Sequence, residues 1–301
     1  MPNTLEKIGY RISDTAIRGF LGAMGLLPYD TRLHVTGLFG AHVLAPLTGA
    51  RRRIRKNLAL VMPDLSGQDI RRLTRAVPYN MGRSAMEHFS PDEFAARIRQ
   101  IDIEGPGLQA LEAAHKNGQG ALLVTGHFGN YMAVRAAFVA RGYNMGGLYK
   151  PMSNPYFNAH YVTAFLRHGE PMFERSRRGM AAMVRFLRKG GWVGIVLDQR
   201  MNDAPILSFM GKPARTSLSV AELALKYDVL AIPAYGIRQP DGNYRIVIEA
   251  PIAPDTPEAM TQALIEQCDL AVVTGSQNNV KRALQSGTVA IGGGAGNVPV
   301  I

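Results

Sequence analysis

At 301 residues, 47% of them hydrophobic and 19% charged, the chain has enough apolar material to bury a core, which excludes a disordered polymer. Thirty-four Lys and Arg against 23 Asp and Glu leave a formal charge of +11, so an anionic partner is expected: nucleic acid, phospholipid headgroups or an acidic carrier protein. The single cysteine, Cys268, excludes an internal disulfide framework and fits a reducing compartment, on the cytoplasmic side.

Met1 to Asp14 is polar and lacks a compact apolar stretch before a small-residue cleavage site, so no secretory signal is expected. Leu33 to Ala50 contains no Lys, Arg, Asp or Glu and runs directly into Arg51, Arg52, Arg53, Arg55 and Lys56. Histidines, glycines and Pro46 interrupt it, and a full span needs roughly 20 apolar residues. It therefore reads as an interfacial helix with basic residues on lipid phosphates, against the alternative of a buried helix with a solvated basic end. Ser66 to Phe89 reads as a helix with Ser66 as N-cap, Ile70, Leu73 and Val77 at helical spacing, and a kink at Pro78.

Beyond this helical first hundred residues the rhythm changes to strand and helix in alternation. Ile101 to Glu104 is a short strand, Leu108 to Lys116 a helix, Ala121 to Thr125 (ALLVT) a buried strand, and Tyr131 to Arg141 a helix. Gly147 to Lys150 is the next strand, Pro155 to Arg167 and Gly179 to Lys189 are helices, and Trp192 to Leu197 (WVGIVL) is a strand. Ser219 to Lys226 is a helix, followed by strands at Val229 to Tyr235 and Tyr244 to Glu249. Short apolar strands between helices predict an α/β fold with a helix-covered, mostly parallel sheet. Such sheets bind ligands outside the carboxyl ends of their strands. The expected division is 1–100 as a helical, membrane-contacting region, 101–265 as the α/β core, and 266–301 as an atypical tail.

At the exit of ALLVT stands Gly126-His127-Phe128-Gly129-Asn130-Tyr131. A histidine between two glycines, where a buried strand gives way to a helix, is placed to meet a substrate and titrates in the range of a general base. By its position alone, a structural histidine is an equal reading.

GHFGNY is followed by LYKPMSNP (Leu148 to Pro155), RRGM (Arg177 to Met180), VLDQR (Val196 to Arg200) and FMGKPA (Phe209 to Ala214), with NLALVMPDLS (Asn57 to Ser66) upstream. In this order and at this spacing the blocks resemble the bacterial lipid A biosynthesis acyltransferases, a branch of the glycerolipid acyltransferases. The resemblance implies transfer of a fatty acyl chain from acyl carrier protein or acyl-CoA to a hydroxyl of a glycolipid, a lipid A precursor, at the cytoplasmic face of the inner membrane. The chain would sit there peripherally or by one N-terminal anchor. His127 would be the base that takes the acceptor's hydroxyl proton, without an acyl-enzyme, and Asp198 would organise the site. Asn130, Lys150, Arg175, Arg177, Arg178 and Arg200 would bind substrate, the cations through phosphates or the developing oxyanion. Solvated surface for the arginines, and an ion pair with Arg200 for Asp198, are the plainer alternatives. No cofactor is implied, no His, Cys and carboxylate grouping has metal-ligand spacing, and the scattered basic residues match no nucleic-acid-binding pattern.

The chain departs from that family in two places. The family's acid, five residues after the histidine, is Met132 here, and a thioether supplies neither negative charge nor a strong acceptor. Losing the equivalent carboxylate charge in a serine protease triad costs about 10⁴-fold in turnover. Three accounts compete: a catalytically impaired relative that still binds lipid or carrier protein, a substitution that preserves folding, or a carboxylate supplied from elsewhere, with Asp198 as the candidate. On the missing-acid account, Met132→Glu or Met132→Asp raises activity. The second departure is the tail from Cys268 to Ile301, whose phrases VVTGSQNNV and GGGAGNVPVI resemble a fragment of coenzyme A-acylating aldehyde dehydrogenases. It reads as a fusion or spliced frame with its junction near Leu264 to Cys268, against the alternative of an unusual native tail, and not as a dehydrogenase activity.

Overall fold

A computed structural model describes residues 3–127, 129–198, 201, 204–209, 212–253, 255–266, 272–274 and 291–293. Arg200, Cys268 and most of the tail lie outside the described residues, and of the stretch that resembles a dehydrogenase only 272–274 and 291–293 are described.

The N-terminal third is helical: α1 Thr4–Gly25, α2 Tyr29–Phe39, a π-helical turn Gly40–Leu44, α3 Ala45–Leu47, α4 Ala50–Val61, α5 Gly67–His88 and α6 Pro91–Arg99. A capping box starts α1, in which the Asn3 side chain accepts from Glu6 N and Glu6 accepts from Asn3 N, both at 2.8 Å. Ser66 caps α5 as its sequence predicts, accepting from Asp69 N at 3.1 Å. The helix then continues through Pro78 to His88 as one element.

The charge-free segment 33–50 is helical in several pieces. It is α2, the π turn and α3 in succession, and one face of it, with Leu33, Thr36, Ala41 and Ala45, is buried. α2 packs on α5 so closely that a Cβ at Gly82 would lie 2.2 Å from Thr36 O, so only glycine lets the two backbones meet. The opposite face leaves Leu38, Val43, Leu44 and Leu47 exposed, and along α1 Leu5 (80%), Ile8 (51%) and Ile12 (65%) stand in solvent at helical spacing. Among the described residues no helix is long and apolar enough to cross a membrane.

The core is a seven-stranded sheet. Its strands are β1 Ile103–Glu104, β2 Ala121–Thr125, β3 Met145–Tyr149, β4 Met172–Glu174, β5 Trp192–Val196, β8 Leu230–Arg238 and β9 Tyr244–Ile248, and β6 Ile206–Phe209 and β7 Lys212–Arg215 form a separate antiparallel hairpin. The order is β1-β9-β8-β2-β5-β3-β4, and every neighbouring pair is parallel except β8 with β9. Helices α7 Leu108–Lys116, α8 Met132–Val139, α9 Pro155–Arg167, α10 Arg177–Leu187, α11 Ser219–Tyr227 and α12 Pro257–Glu266 complete the fold. Successive residues of a strand point to opposite faces. Ala121 and Leu123 accordingly join one buried cluster with Ala133, Ala137, Phe138 and Ile246, while Leu122 and Val124 join another with Met183, Leu187, Val220 and Met260. The central strands are thus buried on both sides, which explains why ALLVT and WVGIV read as unbroken apolar runs. The predicted α/β class with a helix-covered, mostly parallel sheet holds, with one reversed strand pair.

Candidate functional site

The register of the sheet assembles the site. In the parallel pair of β2 with β5, Thr125 stands opposite Val196. Two residues beyond each partner come His127 and Asp198, so equal overhang past the strand ends brings them side by side. The His127 ring Nδ1 lies 2.7 Å from Asp198 Oδ1, and the His127 backbone N–H donates to Asp198 Oδ2 at 2.8 Å. A carboxylate that takes both contacts fixes the turn as well as the ring. Asp198 is nearly buried, with 6% of its side chain exposed, whereas His127 keeps 25% open to solvent. Because a carboxylate accepts, Nδ1 carries the proton and Nε2 holds a free lone pair. That tautomer suits an imidazole that takes a proton from a substrate hydroxyl.

The aromatic side chain of Tyr131 packs edge-on to His127, with ring centroids 5.2 Å apart. Its hydroxyl shares a hydrogen bond with Tyr161, and burial, Tyr161 and the Asp198 charge push its pKa well above the ordinary phenol range. Tyr131 therefore stays neutral and shields one side of the imidazole.

Position 132 looks elsewhere. Gly129, at φ +55°, turns the chain sharply, and α8 begins at Met132 with the side chain buried against α5. Met132 Sδ lies 3.3 Å from His88 Nδ1. His88 Nε2 faces the Tyr161 carbonyl at 3.2 Å, so it donates there and leaves Nδ1 unprotonated towards the sulfur. Burial first, then the neighbouring His168, hold the His88 pKa down to about 3. Residue 132 thus belongs to an apolar and histidine-lined pocket, and the carboxylate on His127 comes from β5.

The other expected substrate residues divide into two groups. Lys150 follows the last residue of β3, and Arg175 follows β4, where Tyr149 pairs with Glu174. Both are exposed at the same strand-end edge as His127. At about 4.8 Å per strand, Lys150 stands roughly 10 Å across the sheet from the His127 strand. Arg177 and Arg178 are exposed in the first turn of α10, which Ser176 caps by accepting from Gly179 N at 3.2 Å. These cations gather at the ends of β3 and β4, two and three strands across the sheet from the strand that leads to His127.

Asn130 differs. It is buried, its Nδ2 donates to Glu87 Oε2 at 2.8 Å, and its Oδ1 accepts from Met132 N at 3.0 Å. The structure places it beneath the turn, not on the open side. Glu87, Ser84 and Arg238, which surround it, carry no signal in the sequence: a glutamate near the end of a helix ordinarily reads as solvent-facing. Among the described residues no group of three or more His, Cys, Asp or Glu side chains could hold a metal.

Residues 6–275 match the family model for the bacterial lipid A biosynthesis acyltransferases. No curated protein matches the chain.

Proposed function

Since the chain belongs to the bacterial lipid A biosynthesis acyltransferases, we propose that it moves a fatty acyl chain from a thioester of acyl carrier protein or coenzyme A to a hydroxyl of a lipid A precursor, with His127 as general base. The observation that carries this reading is the His127 Nδ1 to Asp198 Oδ1 contact of 2.7 Å. It holds the imidazole with Nε2 free at the edge where a parallel sheet binds its ligands.

In this mechanism Nε2 takes the proton as the acceptor oxygen attacks the thioester carbonyl. The C–O bond forms, the C–S bond breaks as the intermediate collapses, and the imidazolium returns its proton to the departing thiolate. Asp198 stabilises the imidazolium without itself taking the proton. Lys150, Arg175, Arg177 and Arg178 supply positive charge for the phosphates of the glycolipid or of the donor's phosphopantetheine arm, and Arg200 joins them by resemblance. The impaired-relative reading rests on Met132 alone. With that side chain against His88 and Asp198 on His127, the arrangement supports a competent site.

The exposed apolar faces of α1 and of the α2 to α3 segment, next to Arg52, Arg53, Arg55 and Lys56, support a peripheral seat on an anionic membrane, the cytoplasmic face of the inner membrane. The testing experiment incubates the purified chain with acyl carrier protein and coenzyme A thioesters of several lengths and a lipid A precursor, and weighs the products by mass spectrometry. An acylated product that disappears in His127→Ala supports the reading. Absence of any His127-dependent product overturns it.

A further inference from the structure

We propose that Glu87, at the end of α5, is a positioning residue for His127, acting through the side chain of Asn130. Glu87 is fully buried. Its carboxylate receives Arg238 Nη1 at 2.7 Å and Nη2 at 2.5 Å, the Tyr244 hydroxyl at 2.8 Å and Asn130 Nδ2 at 2.8 Å. It therefore joins α5, β8 and β9 to the turn between β2 and α8. Burial alone would weaken the Arg238 charge, but the hydrogen bonds and charge of Glu87 outweigh it and hold the guanidinium pKa above its ordinary value. The paired contacts make it a fixed anchor between α5 and β8.

What this anchor holds is the backbone carrying the imidazole. An asparagine amide can be turned either way round, and only one orientation starts α8 with the Oδ1 to Met132 N bond. The Glu87 carboxylate selects that orientation, because it accepts and so demands Nδ2. The same helix contributes a second clamp: Ser84 Oγ donates to Gly129 O at 2.9 Å, and Arg238 Nη2 donates to Ser84 Oγ at 3.2 Å. On the far side Asn130 N donates to Gly236 O at 3.3 Å. Gly129 and Asn130 are thus gripped from α5 and β8, and His127, two residues before Gly129, has its ring direction set against Asp198. A shift of about 1 Å in such a group costs on the order of 10²-fold in rate.

This inference rests on the function proposed above for His127, and its test separates the two. Removing Glu87 alone would strand Arg238 as a buried charge, so both are changed together. Glu87→Gln with Arg238→Met keeps an acceptor for Asn130, and Glu87→Leu with Arg238→Met does not. Full-length protein labelled with ¹⁵N-histidine reports the His127 tautomer by NMR, beside the melting temperature and the rate of acyl transfer. The Gln/Met pair should keep the Nδ1–H tautomer of His127. The Leu/Met pair should melt within a few degrees of it and yet lose that tautomer, with kcat down about 10²-fold and KM little changed. Asn130→Ala, which leaves Glu87 with Arg238 and Tyr244, should reproduce the loss and decides the matter if the Leu/Met pair does not fold. An unaltered tautomer in Asn130→Ala or in a folded Leu/Met chain overturns the positioning role. A tautomer that responds while the parent transfers no acyl chain overturns the proposed function and leaves the positioning role standing.

Discussion

His88 Nδ1 and Met132 Sδ face each other at 3.3 Å in the pocket between α5 and α8. A carboxylate at position 132 would meet an unprotonated imidazole nitrogen among Phe89, Tyr161 and Phe165, away from His127. Met132→Glu is therefore expected not to raise activity, contrary to the expectation drawn from the family pattern. The burial of an acid there should lower stability by about 2 to 3 kcal/mol. Urea unfolding of parent and variant, beside the transfer assay, checks both parts; a more active Met132→Glu chain would restore the missing-acid account.

Asp198 carries the opposite expectation. Asp198→Ala removes both the ring partner and the acceptor for His127 N. Transfer should fall by about 10²- to 10⁴-fold, with Asp198→Asn at the upper end of that loss if its amide donates to Nδ1 and forces the wrong tautomer. Steady-state kinetics with a melting curve for each variant tests this. A rate within threefold of the parent in Asp198→Ala would remove Asp198 from the mechanism.

The buried histidines set an acid limit on stability. The folded pKa of His88 is about 3, against 6.5 for the exposed side chain, and that of His168 is also lowered, chiefly by burial. A depressed folded pKa means that the unfolded chain binds the proton first. The stabilising contribution is full above pH 6.5 and is lost as the pH falls towards 3, at about 1.4 kcal/mol per pH unit for His88. Melting temperatures between pH 7.5 and 4.5 should fall steadily below 6.5, and His88→Phe should flatten that slope. A flat profile in the parent would contradict the burial argument.

The exposed face of α1 makes a separate prediction. Leu5, Ile8 and Ile12 contact little else in the protein, so replacing all three with Glu should leave the melting temperature nearly unchanged. Each large aliphatic side chain withdrawn from a lipid surface forfeits about 1.5 to 3 kcal/mol if fully buried there. Binding to anionic phospholipid vesicles, read by co-sedimentation, should therefore weaken at least about tenfold. Equal sedimentation of parent and triple variant would place the membrane contact elsewhere.

Much of the core was legible because its strands are buried on both faces. ALLVT and WVGIV have no polar break, and α9 is bounded by Asn154 and Pro155, whose capping and fixed φ mark a helix start. β4 is only Met172–Glu174, too short for any periodicity to register, and the hairpin of β6 and β7 hides within a block recognised only by resemblance. The site was half legible. His127 announces itself through its glycines, but its partnership with Asp198 depends on the alignment of two strands more than sixty residues apart, which local pattern does not encode. Met132 misled for the same reason: counting five residues along the chain says nothing of the turn at Gly129 that swings the side chain into α5. Glu87 was invisible because its neutralising partner, Arg238, stands at the end of β8, 151 residues further along the chain.

The tight seam at Gly82 has a geometric corollary. Within five residues, about 8 Å of helical rise, α5 passes from its junction with α2 to Ser84 and Glu87, which clasp the loop bearing the imidazole. One rigid rod spans both duties. If the outer side of α2 rests on a lipid layer, the His127 nitrogen would keep a constant altitude over it, and on the function proposed above the acceptor alcohol would be selected partly by how far it protrudes from that layer.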